Sequence, residues 1–295
     1  MSIEELLSHI PYKTFIGNIQ VNISDVIQSS SDNTNPNALM WISVKNIDLI
    51  PKIKTGIVII PEGNEQLLQK NCQYIISENP RLTFAASLNI LFPKQLNNTI
   101  EKTAIIASDV KLGNNVGIGH HVIIEANCTI GDNTVIEHNT VIKKGTIIAS
   151  NCYIGSNCTI GGNGFGYEKD SDGDLQLIKH IGNVIIEEYV EIGNNTCIDR
   201  AVLGSTLIKK HVKIDNLVHI AHGVIIDENS LIIANSLIGG STKIGKRVWV
   251  APSATIINKT TIDDDALIGM GAVVIKPVQK GEVIIGNPGK PLQKK

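Results

Sequence analysis

The run Lys213-Ile214-Asp215-Asn216-Leu217-Val218-His219-Ile220-Ala221-His222-Gly223 places two histidines and a carboxylate within a few residues of one another. An imidazole titrates near neutrality and so suits removal of a proton from an attacking nucleophile. A carboxylate beside it would hold the ring tautomer and stabilise its cation. Upstream, Asp199-Arg200 offers either a plain ion pair or a handle that orients something polar. The segment Gly161-Gly162-Asn163-Gly164-Phe165-Gly166-Tyr167 is rich in glycine, which permits close approach of backbone to a ligand, while Phe165 and Tyr167 add flat apolar surface. Trp41, one of two tryptophans, would either stack on a nucleobase or fill a core. A surface histidine is as readily a solvated side chain, and a glycine-rich excursion as readily a tolerated loop. Spacing alone therefore leaves these roles open.

The elements that must carry these residues announce themselves by a period of six. Ile or Leu recurs at residues 106, 112, 118, 124, 130, 136, 142, 148, 154 and 160 without a slip, returns at Ile186, Ile192 and Ile198, and resumes from Ile208 to Val274. Two residues before these positions stand small or β-branched side chains such as Val116, Cys128, Thr134, Thr196 and Val218, and turn formers follow, as in Ile192-Gly193-Asn194-Asn195. No helix has a period of six, and a fixed period means stacked units that each bury one layer. Six residues per flat face and three faces per turn predict a parallel β-helix of about eight coils, roughly 40 Å long at the spacing of β-strands. Two interruptions, residues 161–182 and four extra residues between Ile198 and Ile208, cannot be absorbed by regular coils and must bulge outward, where loops on a stiff scaffold often hold function. In hexad phase Ile214 and Ile220 point inward, His222 lies just past Ile220 near a corner, and Asp215 follows Ile214 roughly one face away. Lys259 falls at a similar offset in a later coil.

Before the prism, alternating strand and helix patterns predict a small α/β domain over residues 1–98. Its elements are a helix over 3–9, strands over 16–23, 39–43, 56–60 and 74–76, a helical stretch over 65–70 and a helix over 81–91. Asn97 to Lys102 joins it to the prism, which runs over 99–285, and residues 286–295 form a turn-rich tail. A net charge of −2 without any basic block argues against duplex nucleic acid. The apolar runs are too short to span a bilayer and the acidic start is unlike a signal region, so a cytoplasmic protein is expected. Cys128, Cys152 and Cys158 occupy the small inward slot as hydrophobic filler, and five cysteines without a Cys-x-x-Cys argue against a disulfide framework. His120, His121 and His138 lack ligand-like partners and read as surface residues, not a metal site.

From Ile75 onward the chain resembles the UDP-3-O-acylglucosamine N-acyltransferase family of lipid A synthesis. The residues that carry the resemblance are Glu78-Asn79-Pro80-Arg81, Gly164-Phe165-Gly166-Tyr167, Thr196-Cys197-Ile198-Asp199-Arg200 and the run from Lys213 to His222. The resemblance implies a left-handed sense for the β-helix, His222 as general base with Asp215 in support, and a homotrimer with substrates in the grooves between prisms. Substrate contacts are expected from Asn163, Phe165, Gly166, Tyr167, Asp199, Arg200, Asn216 and His219, and from Trp41, which lies before the stretch that carries the resemblance. Gly223, Gly240 and Lys259 are the candidates for the donor side, with a backbone N–H of either glycine as oxyanion donor. No permanently bound cofactor and no metal is needed, since a thiolate is a good leaving group. The sequence departs from the family at Asn163 (usually Asp), Gly223 (usually Asn) and Lys259 (where a second histidine is usual). It ends in Gly286-Asn287-Pro288-Gly289-Lys290-Pro291 in place of helices that engage acyl carrier protein. That ending suggests transfer from an acyl-CoA to a UDP- or dTDP-linked amino sugar. The alternative is the lipid A enzyme itself, using acyl carrier protein, and a β-helix without chemistry is the reading from another class.

Overall fold

A computed structural model describes residues 1–93 and 98–291. The beginning of the expected junction at Asn97 and the last residues of the expected tail, 292–295, lie outside the described residues. The chain divides into two compact units, Met1–Gln95 and Leu96–Lys295.

The second unit is a parallel β-helix. Most of its strands are two residues long, and they stack into three parallel sheets of eight, ten and nine strands, the ten-stranded sheet closing on an antiparallel pair at its end. Each inward slot of the hexad is filled by an aliphatic side chain, and from Ile118 to Val274 all of these are essentially buried in one continuous core. Burying such a side chain is worth about 1.5–3 kcal/mol, so the repeat is held by its interior and not by the short strands. Residues two positions earlier are also buried, and the hydroxyls among them do a second job. Thr134 Oγ1 donates to Ala149 O at 2.8 Å and accepts from Cys152 N at 3.1 Å, and Thr140 repeats this with Gly155 O and Cys158 N. A corner amide of one coil is thereby satisfied by a side chain of the coil below, as a buried donor must be. Cys128, Cys152 and Cys158 fill the same slot as free thiols. Burial pushes the Cys152 thiol up to about 11, which leaves it inert.

The turn formers have an equally local cause. The corners require left-handed backbone, with φ near +60° at Asn127, Asn133, Asn139, Asn151, Asn157 and Asn195 among others. Asparagine tolerates that conformation better than any residue but glycine.

Both interruptions leave from the nine-stranded sheet. Thr159–Gly162 pairs with Cys197–Asp199, and Ile160 faces Ile198 across an insert, with a register shift before Gly162 meets Asp199. The insert carries a two-stranded antiparallel hairpin, Tyr167–Lys169 with Leu175–Leu177. Cys197–Asp199 pairs in turn with His219–Ile220, and that strand with Leu237–Ile238. Four consecutive strands of one sheet therefore bring residues 162, 199–200, 222 and 240 to one edge.

The first unit is a five-stranded sheet in the order Thr14–Ile16, Cys72–Ser77, Gly56–Pro61, Ala38–Trp41, Asp25–Val26, antiparallel only at the first pair. The helix Pro80–Leu91, capped by Asn79, and the short helix Ile3–Leu7 cover one face. The 3-10 segment Val44–Lys52 packs on the other. The strand expected over 16–23 is instead Thr14–Ile16 followed by turns, because Gly17 takes a φ of +140° and breaks the alternation. The helical stretch expected over 65–70 shortens to a 3-10 turn at Glu65–Leu67.

The corner geometry yields a stability prediction. Asn157 sits at φ +59°. Asn157→Val is expected to destabilise the prism by about 1–2 kcal/mol, while Asn157→Gly stays near the parent. Denaturant melts of the two variants measure the difference, and equal midpoints would show that the left-handed corner is not a constraint.

Candidate active site

His222 stands at the edge just past its strand, half buried. Gly240, one coil further, lies directly against it: a Cβ built on Gly240 would come within 2.7 Å of His222 Nε2 and 2.8 Å of Cε1. Only glycine leaves room for the ring there. The Gly240 carbonyl accepts from Lys259 N at 2.8 Å, while the Gly240 N–H donates to no group among the described residues. The imidazole thus has a bare backbone donor beside it, the arrangement an oxyanion needs. The other candidate for that role, Gly223, is excluded by its partner, since its N–H donates to Thr206 Oγ1 at 2.8 Å.

Burial lowers the His222 pKa below the ordinary imidazole value, and any positive charge beside it, on a protonated His180 or on Lys259, acts in the same direction. The ring is consequently a free base at neutral pH. Lys259 itself is exposed at a left-handed corner, with φ +57°.

Asp215 does not support His222. Its Oδ1 accepts from the backbone N–H of Asn216 at 2.7 Å and from the Asn216 side-chain amide at 2.9 Å, and its Oδ2 accepts from Ala234 N at 3.2 Å. It follows Ile214 in the ten-stranded sheet, whereas His222 follows Ile220 in the nine-stranded one, so the two occupy different corners. Asn216 belongs to the same corner scaffold, with Oδ1 accepting from Asn194 N at 2.7 Å. Arg200 is likewise committed to structure. Its guanidinium donates to Gly161 O at 2.8 Å and Lys144 O at 3.0 Å, which pins the start of the insert to the coil beneath.

The carboxylate that does stand near the histidine cluster is Asp199. It lies 3.6 Å from His219 Nε2 and is mostly buried. Burial raises its pKa, against the opposing pull of His219 and His180. Phe165 and Tyr167 pack edge to face with centroids 5.1 Å apart, and Phe165 is 86% exposed, a large apolar ring held in solvent at the start of the insert. Asn163 is exposed. Gly166 O accepts from Ile178 N at 2.9 Å and so closes the base of the hairpin.

One residue of this corner carries no signal in the repeat. His180, at the end of the insert, is only 7% exposed and packs against His222 with ring centroids 5.1 Å apart at 72°. It sits outside the hexad phase and distant in sequence from both histidines of the central run.

In the first unit, Trp41 is half buried and stacks on Phe84 at 5.8 Å and 23°. The pair lines a cavity of about 700 Å³, together with Gln28, Ser29, Ser43 and Asn46. His120 and His138 stack on each other at 5.4 Å, and among the described residues no group of three or more His, Cys, Asp or Glu side chains is arranged to hold a metal. No helix among the described residues is long and apolar enough to cross a membrane.

The family model for the bacterial transferase hexapeptide (six repeats) matches residues 127–162. The UDP-3-O-acylglucosamine N-acyltransferase of Campylobacter lari is 46% identical over 256 residues, covering 83% of this chain and 80% of that one. The enzyme of the same name from Helicobacter pylori (strain J99) is 39% identical over 263 residues, covering 84% and 77%. Among solved structures, a UDP-N-acetylglucosamine acyltransferase from Campylobacter jejuni superposes with a TM-score of 0.58 at 20% identity, over 66% of this chain and 74% of that one. At that identity the likeness speaks for the fold alone. The sequence relatives speak for more: the chain is an acyltransferase and belongs to the UDP-3-O-acylglucosamine N-acyltransferase family.

Proposed function

We propose that the protein transfers a 3-hydroxyacyl group from acyl carrier protein to the amine of UDP-3-O-acylglucosamine, in lipid A synthesis. The observation that carries the chemistry is the contact between the His222 ring and Gly240, whose N–H has no partner among the described residues. The relatives' shared name supports the acceptor and favours this reading over transfer from acyl-CoA to a soluble amino sugar, which the turn-rich ending suggested.

In this reading the amine nitrogen attacks the thioester carbonyl, forming the C–N bond and moving the C=O pair onto oxygen. His222 takes the N–H proton, and the Gly240 N–H receives the oxyanion. Collapse restores the carbonyl, breaks the C–S bond and returns the proton from His222 to the departing thiolate. Because His222 is held below its usual pKa, it is ready to accept a proton at working pH. Trp41 and Phe84 offer a stacked aromatic wall to the uracil ring, with the side chains of Ser29 and Asn46 as polar contacts in the same cavity. Phe165 and Tyr167 would face apolar parts of the substrates. Assembly as a homotrimer belongs to the same reading and is tested by light scattering.

The deciding assay crosses acyl carrier protein and CoA thioesters with UDP-3-O-acylglucosamine and with UDP- and dTDP-linked amino sugars. Turnover confined to CoA thioesters and soluble amino sugars would overturn the reading. His222→Ala is expected to lower kcat by about 10²–10⁴ without changing the melting temperature; near-normal turnover would remove His222 from the mechanism. Gly240→Ala places a methyl where the ring stands and is expected to cost about 100-fold in kcat by displacing the base. Lys259→Met removes a positive charge that holds the His222 pKa down. The pKa then rises, so the acid limb of the kcat/KM profile moves to higher pH. A limb that stays put or moves down would show that Lys259 does not act on the base.

A further inference from the structure

His180 has an unusual hydrogen-bond account. Its Nδ1 lies 2.8 Å from Ile178 O, a group that can only accept, so this nitrogen carries the hydrogen. In the neutral ring the lone pair is then at Nε2. That atom is fully buried and has no hydrogen-bond partner among the described residues. Buried polar atoms are almost always paired, and an orphan beside an active site calls for an explanation.

Its surroundings supply one. A Cβ built on Gly164 would meet His180 Nε2 at 2.6 Å, His180 Cδ2 at 2.9 Å and His222 Cβ at 2.9 Å. Gly164 is therefore the thin spacer that lets the Nε2 edge of one imidazole lie beside the root of the other. Within the His222 ring, Nδ1 is the nitrogen nearer its own Cβ, while Nε2 lies against Gly240. The root of the ring, to which Nδ1 is the nearer nitrogen, thus lies beside His180, and Nε2 lies beside Gly240 and its bare N–H, where the chemistry is expected.

We propose that His180 is the positioning partner of His222: its orphan Nε2 accepts a hydrogen bond from His222 Nδ1–H when His222 Nε2 takes the proton of the attacking amine. His180 accepts a hydrogen bond in this step and takes no proton, so the proton balance of the transfer is unchanged. It fills the role that the carboxylate of a catalytic triad fills, and that Asp215 cannot reach. The other charged groups acting on the pair are Lys259, from the coil beyond Gly240, and Asp199, which faces His180 and is itself paired with His219. This inference rests on the proposed role of His222 as base.

Two variants and two readouts test it. His180→Phe keeps the ring and removes the acceptor, and His180→Gln restores an acceptor oxygen at the reach of Nε2. In protein labelled with ¹³C at histidine Cε1, with His222→Gln used to assign the signal, His222 is expected to titrate at higher pH in the parent than in His180→Phe, because the accepted hydrogen bond favours its cation. A cationic His180 would do the opposite, so an unchanged or higher titration point in His180→Phe overturns the proposal. In the acyl-transfer assay, His180→Phe is expected to lower kcat about 100-fold with little change in KM, and His180→Gln to recover most of it. Equal losses in both variants would reduce His180 to packing and also overturn the proposal. The titration needs no substrate. A parent that fails to turn over UDP-3-O-acylglucosamine but shows the expected shift would refute the substrate reading and support the histidine pair.

Discussion

Everything in the second unit depends on keeping the coils in register, and the inward aliphatic ladder enforces it. A slip by one residue would turn every buried isoleucine outward, so each coil is locked to its neighbours by its own interior. The hydroxyl and thiol slots tighten the lock, because the hydroxyls pair with corner amides of the neighbouring coil. The functional consequence is positional. Residues in equivalent slots of successive coils are stacked at strand spacing, so His222 and Gly240 meet without any local device to bring them together.

The same register explains why the two interruptions matter. They leave the repeat at one edge of the nine-stranded sheet, on the coils just beneath His222. A uniform prism offers the same shallow corner many times over. The insert makes one corner different from the rest: it delivers His180 to the side of His222, buries it, and supplies Gly164 as the only kind of residue that fits between them. Arg200 then fastens the insert at its root through Gly161 O and Lys144 O. An arginine beside an aspartate, which the sequence left open as an ion pair or a polar handle, serves here as a brace.

How much of this was legible in the sequence follows from how locally each feature is determined. The hexad period gave the architecture because every coil repeats the same burial problem and solves it the same way. The places of His222, Gly240 and Lys259 on their coils were legible because each is fixed by the repeat, whereas their roles were expected from the family resemblance alone. Asp215 was misassigned for a related reason. The resemblance implied a pair, although the hexad phase already set Asp215 roughly one face away, and the Asp215 carboxylate is consumed by Asn216 and Ala234. His180 was illegible because an insert obeys no period, and nothing in Leu177-Ile178-Lys179-His180 announces where its return to the prism will end. In the first unit the strands of the sheet centre were clear and the edges were not, as at Gly17, where the backbone leaves the extended region.

The electrostatics of the corner follow from the same division of labour. The scaffold contributes burial, which lowers His222 and raises Asp199 and so favours the uncharged form of each. The added residues contribute charge and direction: Lys259 from an exposed corner, His219 paired with Asp199, and His180 from the insert. The regular repeat presents the same corner on every coil, and it is where the repeat is broken and in the N-terminal unit that the exposed Phe165 ring and the stacked Trp41–Phe84 wall are found.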